Sequence, residues 1–153
     1  MPDLATHVLA VTPFLRKAAR RPELVLLGTI LPDLAGRLAV LKPNSVLLFW
    51  MGNALHAPVG MALIIYALAM FFPREKRAGV LAGVGAGAAF HFVLDFLQKT
   101  VTFGPLWLFP ASLASFQIPL IWGDESFFAL PFLVLLNLLV YALPSAAGLK
   151  KRG

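Results

Sequence analysis

The sequence contains no cysteine among its 153 residues. This absence excludes disulfide bonds, thiolate zinc sites and thiol nucleophiles. A metal ion bound by this chain therefore has to take nitrogen and oxygen ligands from histidine and aspartate. The sequence has three histidines, His7, His56 and His91, and each lies within a strongly apolar stretch.

Charged residues are also scarce, at 13% of the chain against about a quarter in an ordinary soluble domain. Hydrophobic residues make up 59%, and the mean hydropathy is +0.83. This composition predicts an all-α, polytopic membrane protein. The length supports about four or five crossings of about 20 residues each. We therefore expect a single integral-membrane helical domain over residues 1–153, in contact with membrane lipids.

The net charge of +6 does not indicate nucleic-acid binding, because the basic residues form short clusters between apolar runs. The clusters lie within residues 16–21, 74–77 and 150–152. Cytoplasmic loops of membrane proteins carry such an excess of lysine and arginine. The pattern predicts a multi-pass protein of the plasma or inner membrane, with the N-terminus outside and the C-terminus inside. The start has no basic region ahead of its apolar stretch, so we expect it to belong to the mature fold.

The apolar runs predict five helical segments, near residues 3–15, 24–41, 46–72, 78–98 and 126–148. The third is long enough to span a membrane with tilt, whereas Pro13 and Pro32 interrupt the first two. Residues 100–123 are rich in proline, glycine and aromatic residues. Irregular backbone at membrane depth has to be buried in protein or line a wet cavity. We expect this stretch to form a re-entrant or interfacial loop over the outer mouth of the bundle.

The predicted orientation brings polar residues of several segments to the same leaflet. They are the three histidines, His7, His56 and His91, and three aspartates, Asp3, Asp33 and Asp95. Ionisable groups inside a membrane are energetically costly, and they mark functional sites. We therefore predict one metal-binding cluster near the outer side.

Two pairs of these residues share a helical spacing. His91 and Asp95 are four residues apart, which places both side chains on one face of a helix. Asp3 and His7 repeat this spacing. Two opposed pairs offer imidazole and carboxylate donors that suit a divalent metal ion. Alternatively, His91 packs in the core with a hydrogen bond to Asp95, and Asp3 caps the first helix.

The other two candidates each have a simpler alternative role. Asp33 follows Pro32, which loosens the helix and favours a carboxylate that points inward; the alternative is a local salt bridge to Arg37. For His56, Asn53 lies one turn earlier and is a candidate hydrogen-bonding partner. A lone histidine within a membrane is more often a packing residue, so the case for His56 depends on the other ligands.

Five short blocks of the sequence resemble, in order, the motif blocks of a known family. The blocks are MPDLATH, the LPD of LGTILPDLAGR, HAPVG, HFVLDFLQ and WLFPAS. They resemble the YdjM/YbcI-type family of inner-membrane metal-dependent hydrolases, from residue 1 to about residue 125. The resemblance implies an integral-membrane hydrolase whose motif residues are His7, Asp33, His56, His91 and Asp95.

The chain departs from the family pattern in its central block. Met51 stands where family members often have another histidine, and Ala57 replaces a serine. Ala111 stands where the block that follows LFP often has phenylalanine. The missing histidine favours one metal ion over two, or a site whose chemistry has been altered.

Two functions fit these features best. In the first, Zn²⁺, or else Mn or Fe, activates a water molecule that attacks a phosphoester or carboxylic ester. Asp33 or Asp3 acts as general base, and Arg37 or Lys99 stabilises negative charge. A site in the outer leaflet points to a lipid or lipid-linked substrate.

In the second, the chain is a non-catalytic membrane scaffold or regulatory protein with a metal-stapled or hydrogen-bonded polar core. An ion transporter is a third hypothesis, since broken segments and carboxylates within the membrane also mark ion pathways.

Overall fold

The computed structural model describes residues 4–18, 21–99, 104–118, 120–122 and 126–142. Six α-helices are present in these ranges, which confirms the prediction of an all-α fold. They are α1 (Leu4–Ala18), α2 (Pro22–Gly36), α3 (Val46–His56), α4 (Pro58–Met70), α5 (Arg74–Leu97) and α6 (Ser126–Ala142). A short 3-10 helix, Arg37–Leu41, extends α2. Two strands of two residues each, β1 (Gln98–Lys99) and β2 (Ile121–Trp122), pair in parallel.

Proline and capping residues set several helix ends. Pro22 and Pro58 occupy the first turns of α2 and α4, where a missing N–H costs nothing. The Ser45 hydroxyl accepts a hydrogen bond from the Leu48 N–H at the start of α3 (3.4 Å). Helix α5 ends at Leu97, and the next residue, Gln98, has an extended backbone and begins the strand pair.

The segment predicted as continuous over residues 46–72 is broken. Helices α3 and α4 meet at an angle of 76°. Ala57 between them is extended, with ψ of 152°, because a residue before proline avoids the helical conformation. Pro58 therefore ends α3 at His56 and places this histidine at a bend instead of in the middle of a span.

Among the described residues, α5 is the one unbroken helix that is long and apolar enough to cross a membrane. Its 24 residues extend about 36 Å, beyond the hydrocarbon thickness of about 30 Å. The bent pair of α3 and α4 makes a second candidate if it counts as one broken span. The shorter helices include the apolar runs Leu4–Leu15 and Phe128–Ala142.

The hydrophobic core lies between α2, α4 and the first half of α5. Its buried residues are Leu24, Met61, Ile65, Ala69, Val80, Val84 and Ala88. Helices α2 and α5 cross at two glycines: a Cβ on Gly28 would overlap the Val84 carbonyl, and one on Gly87 would overlap the Val25 carbonyl. This close crossing leaves the second half of α5 beside α1, α2 and α3, where the polar residues gather.

Candidate metal centre

Five of the predicted site residues come together inside the bundle. They are His7 on α1, Asp33 on α2, His56 at the end of α3, and His91 and Asp95 on α5. All five are buried, with exposed fractions of 0% for His7 and His91, 1% for Asp33, 3% for Asp95 and 8% for His56. Buried ionisable side chains are stable when they are paired or bind a metal ion.

A hydrogen bond from outside the cluster fixes the orientation of His91. Its Nδ1–H donates to the backbone carbonyl of Thr29 on α2 (2.9 Å). A carbonyl can only accept, so this contact puts the imidazole proton on Nδ1 and leaves a lone pair on Nε2 in the neutral ring. Metal-binding histidines typically use their second nitrogen in this way.

Donor atoms converge on the carboxylate of Asp95. Its Oδ2 lies 3.2 Å from His91 Nε2 and 3.3 Å from His56 Nε2. The two imidazole nitrogens are themselves 3.2 Å apart. On the other side of the carboxylate, Oδ1 lies 3.4 Å from His7 Nε2.

These separations match those of ligand atoms around one cation. Two donor atoms at about 2.0 to 2.1 Å from a tetrahedral Zn²⁺ lie about 3.3 Å from each other. With a proton on Nδ1, the Nε2 lone pair of a neutral His91 ring would face both His56 Nε2 and Asp95 Oδ2, and a cation between these atoms would satisfy all three. The buried histidine and aspartate groups could therefore hold a metal ion.

Asp33 completes the cluster without joining these close contacts. Its carboxylate lies within 4.8 Å of the donor atoms of His56 and His91. Its Oδ2 has no hydrogen-bonding partner although the residue is 1% exposed. The alternative role of Asp33, a salt bridge to Arg37, is not observed: Asp33 is buried, whereas Arg37 is exposed at the end of α2.

The remaining candidates lie elsewhere. Asp3 falls outside the described residues. Arg37 and Lys99, expected to stabilise negative charge, are both exposed. The Asn53 amide donates to the Phe49 carbonyl of its own helix (2.8 Å) instead of serving His56.

Sequence reasoning missed three polar residues. Thr29 is fully buried, and its carbonyl orients His91. Thr6 and Gln98 are 7% and 5% exposed, and Thr6 Oγ1 and Gln98 Oε1 have no hydrogen-bonding partner. Their positions in the sequence offered a signal for two of them: Thr6 is next to His7, and Gln98 lies three residues after Asp95.

The irregular segment packs beside the cluster. The ring of Trp107 contacts Phe92 and Phe96, with ring centroids 5.9 and 5.6 Å away, and these residues follow His91 and Asp95 directly on α5. The Trp107 indole N–H donates to the Phe116 carbonyl (2.7 Å), which closes the segment on itself. This part of the predicted loop therefore covers the end of α5 that carries the metal candidates.

In comparisons with family models, curated proteins and solved structures, none matches this chain. The geometry of the cluster is therefore the basis for the function proposed below.

Proposed function

We propose that this chain is a membrane-embedded, metal-dependent hydrolase that cleaves a phosphoester or a carboxylic ester, with a lipid or lipid-linked molecule as substrate. The observation that carries the proposal is Asp33 Oδ2, a buried oxygen without a partner beside the imidazoles of His56 and His91. A structural metal site needs no such additional base. The resemblance to the YdjM/YbcI-type hydrolases agrees with this function.

The proposed ligands are His56, His91 and Asp95, with His7 on the far side of the carboxylate. Zn²⁺ suits a donor set of imidazoles and carboxylates, and Mn²⁺ or Fe²⁺ are the alternatives. Such an ion supplies Lewis acidity and lowers the pKa of a water molecule towards about 7. Asp33 would act as general base there, with its Oδ2 accepting a proton from that water.

The substrate reaches the site from the side of His56. This is the most exposed of the five residues, and it lies at the bend between α3 and α4. The segment around Trp107 borders the same region through Phe92, which also contacts the His56 ring (5.8 Å).

The membrane setting is proposed from the surface of the bundle and from its basic clusters. Large apolar side chains on α6 are exposed, among them Phe128 at 84% and Phe132 at 67%. Apolar surfaces of this extent indicate contact with lipid or a partner. The basic clusters support an orientation with the N-terminus outside and the C-terminus in the cytoplasm.

The test uses the purified, zinc-loaded chain with Asp33→Asn, assayed on soluble and lipid phosphoesters and carboxylic esters. We expect hydrolysis by the unmodified chain and a loss of at least about 100-fold in the variant, the usual contribution of a general base. Zinc content should be unchanged. Asn53→Ala is the matched control, because its amide bonds only its own helix.

A second function is supported by the burial of the cluster, since structural zinc sites are closed. In that case the metal staples α1, α3 and α5 in a non-catalytic scaffold or regulatory protein. Zinc bound without any ester hydrolysis, together with a lower unfolding temperature in Asp33→Asn, would favour the scaffold.

A further inference from the structure

We infer that Asp95 bridges two cation positions, one on each of its carboxylate oxygens, and that the substrate is a phosphoester. This inference rests on the proposed metal centre and deepens it. It also departs from the single ion that the missing histidine at Met51 favours.

The first position is defined by His56, His91 and Asp95 Oδ2. The three donor atoms form a nearly equilateral triangle with sides of 3.2, 3.2 and 3.3 Å. The two rings are tilted by 72°, and their centroids are 5.4 Å apart. Two imidazoles on one tetrahedral ion have centroids about 5 Å apart, so this pair fits a shared ion.

His7 does not fit that ion, although its donor atom lies within 4.8 Å of those of His91 and Asp95. Its ring is stacked on His91, with centroids 4.2 Å apart and an angle of 22° between the planes. The lone pair of an imidazole nitrogen lies in the plane of its ring. Two nearly parallel, stacked planes do not meet at a ligand distance from both rings, so His7 and His91 cannot direct their lone pairs to the same point.

His7 instead faces the other oxygen of Asp95. Its Nε2 lies 3.4 Å from Oδ1, which is an ion-pair contact without hydrogen-bond geometry, and its Nδ1 has no hydrogen-bonding partner although the residue is 0% exposed. Asp95 Oδ1 likewise has no hydrogen-bonding partner. Buried polar groups without partners are destabilising. A second cation between His7 Nε2 and Asp95 Oδ1 would satisfy both atoms, in the place that a proton on Nε2 takes in the ion pair.

The second position has fewer protein ligands, so it binds its ion more weakly and leaves more sites for the substrate. Paired metal ions stabilise the attacking and the leaving oxygen of a phosphoryl group during in-line displacement. A phosphoester offers the additional anionic oxygens that a second cation requires, whereas a carboxylic ester offers a single carbonyl. The two positions therefore favour a phosphoester.

The experiment is a zinc titration of the purified full-length chain by equilibrium dialysis. We expect two ions per chain in two distinguishable steps, with inorganic phosphate tightening the weaker step. His7→Ala should remove the weaker step and leave the tighter one, giving one ion per chain. His56→Ala removes a proposed ligand of the tighter ion. It should weaken the tighter step by more than the 10- to 100-fold that is typical when a residue hydrogen-bonded to a metal ligand is substituted.

Mn²⁺ loading provides a second measurement that does not depend on substitutions, because two ions bridged by a carboxylate are magnetically coupled and a lone ion is not. One ion per unmodified chain, or two ions retained in His7→Ala, would overturn the inference. One ion with Asp33-dependent hydrolysis would refute the bridge and keep the proposed function. Two coupled ions without hydrolysis would keep the bridge and refute the function.

Discussion

His91 and His7 bring imidazoles to the same cluster from helices that are fixed in different ways. His91 lies one turn beyond Gly87, where α5 crosses α2 so closely that a Cβ would overlap backbone. That crossing brings the Thr29 carbonyl to 2.9 Å from His91 Nδ1. The ring is therefore oriented by the packing of two helices, independently of any ion.

His7 has no such support. Its helix α1 contains Pro13, which lacks the N–H that would bond the Leu9 carbonyl four residues earlier. The Asn137 amide of α6 donates to that carbonyl instead (2.9 Å). Asn137 thus fixes α1, but neither nitrogen of the His7 ring has a hydrogen-bonding partner.

One side of the site is therefore preorganised by helix packing, whereas the His7 ring on the other side has no hydrogen bond that orients it. A ring that is already oriented loses little freedom when it binds an ion. We therefore expect the position at His91 to fill first and the position at His7 to fill second.

The largest effect is expected where the crossing itself is changed. In Gly87→Ala the added Cβ overlaps the Val25 carbonyl and lies 2.7 Å from the Thr29 N, so α2 and α5 have to separate. We expect the free energy of unfolding to fall by about 2 to 3 kcal/mol, with loss of the tighter metal ion. Thermal unfolding and metal content measure the two effects.

Gly85→Ala is the matched control on the same helix, because its Cβ meets no atom within 4 Å. Alanine is a better helix former than glycine, so the free energy of unfolding should rise by up to about 1 kcal/mol. An equal fall in the free energy of unfolding in Gly87→Ala and Gly85→Ala would contradict the role of the crossing.

A smaller effect is expected at the contact between α1 and α6. Asn137→Leu removes the hydrogen bonds to the Leu9 and Leu133 carbonyls and should lower the free energy of unfolding by about 1 to 2 kcal/mol. In a Pro13→Ala background the Leu9 carbonyl regains a helical N–H as its hydrogen-bond donor. Asn137→Leu should then lower the free energy of unfolding by less. A double-mutant cycle in chemical denaturation measures this coupling. Strictly additive losses would show that Asn137 does not serve this carbonyl.

The smallest effect is expected from Thr29→Val. The substitution removes a hydroxyl that donates to the Val25 carbonyl (2.9 Å), which should lower the free energy of unfolding by about 0.5 to 1 kcal/mol. The backbone carbonyl that orients His91 is unchanged, so the metal content should be preserved. Loss of the ion in this variant, measured by elemental analysis, would place the hydroxyl in the site.

The sequence predicted the parts of this site that depend on local spacing. His91 and Asp95 share a helix face because they are four residues apart. Pro58 was noted after His56, but the 76° bend between α3 and α4 at this position was not predicted. The helical character of the chain followed from its apolar runs.

Contacts between distant segments were not predictable from local patterns. The crossing at Gly28 and Gly87 depends on which helices pair, and the glycines of α5 carry no local mark of it. The bond from Asn137 to Leu9 joins residues 128 positions apart. The stacking of His7 on His91 depends on how α1 packs beside α5. The sequence does not reveal this packing, so it could not show whether the two histidines bind the same ion.

The most direct test of the metal centre is elemental analysis of the purified chain beside a His91→Ala, Asp95→Ala double variant. The variant removes both oxygens of the Asp95 carboxylate and the imidazole that the Thr29 carbonyl orients. We predict zinc, manganese or iron in at least equimolar amount in the unmodified chain and none in a folded variant. A folded, unmodified chain that binds no metal ion even after reconstitution would contradict the account.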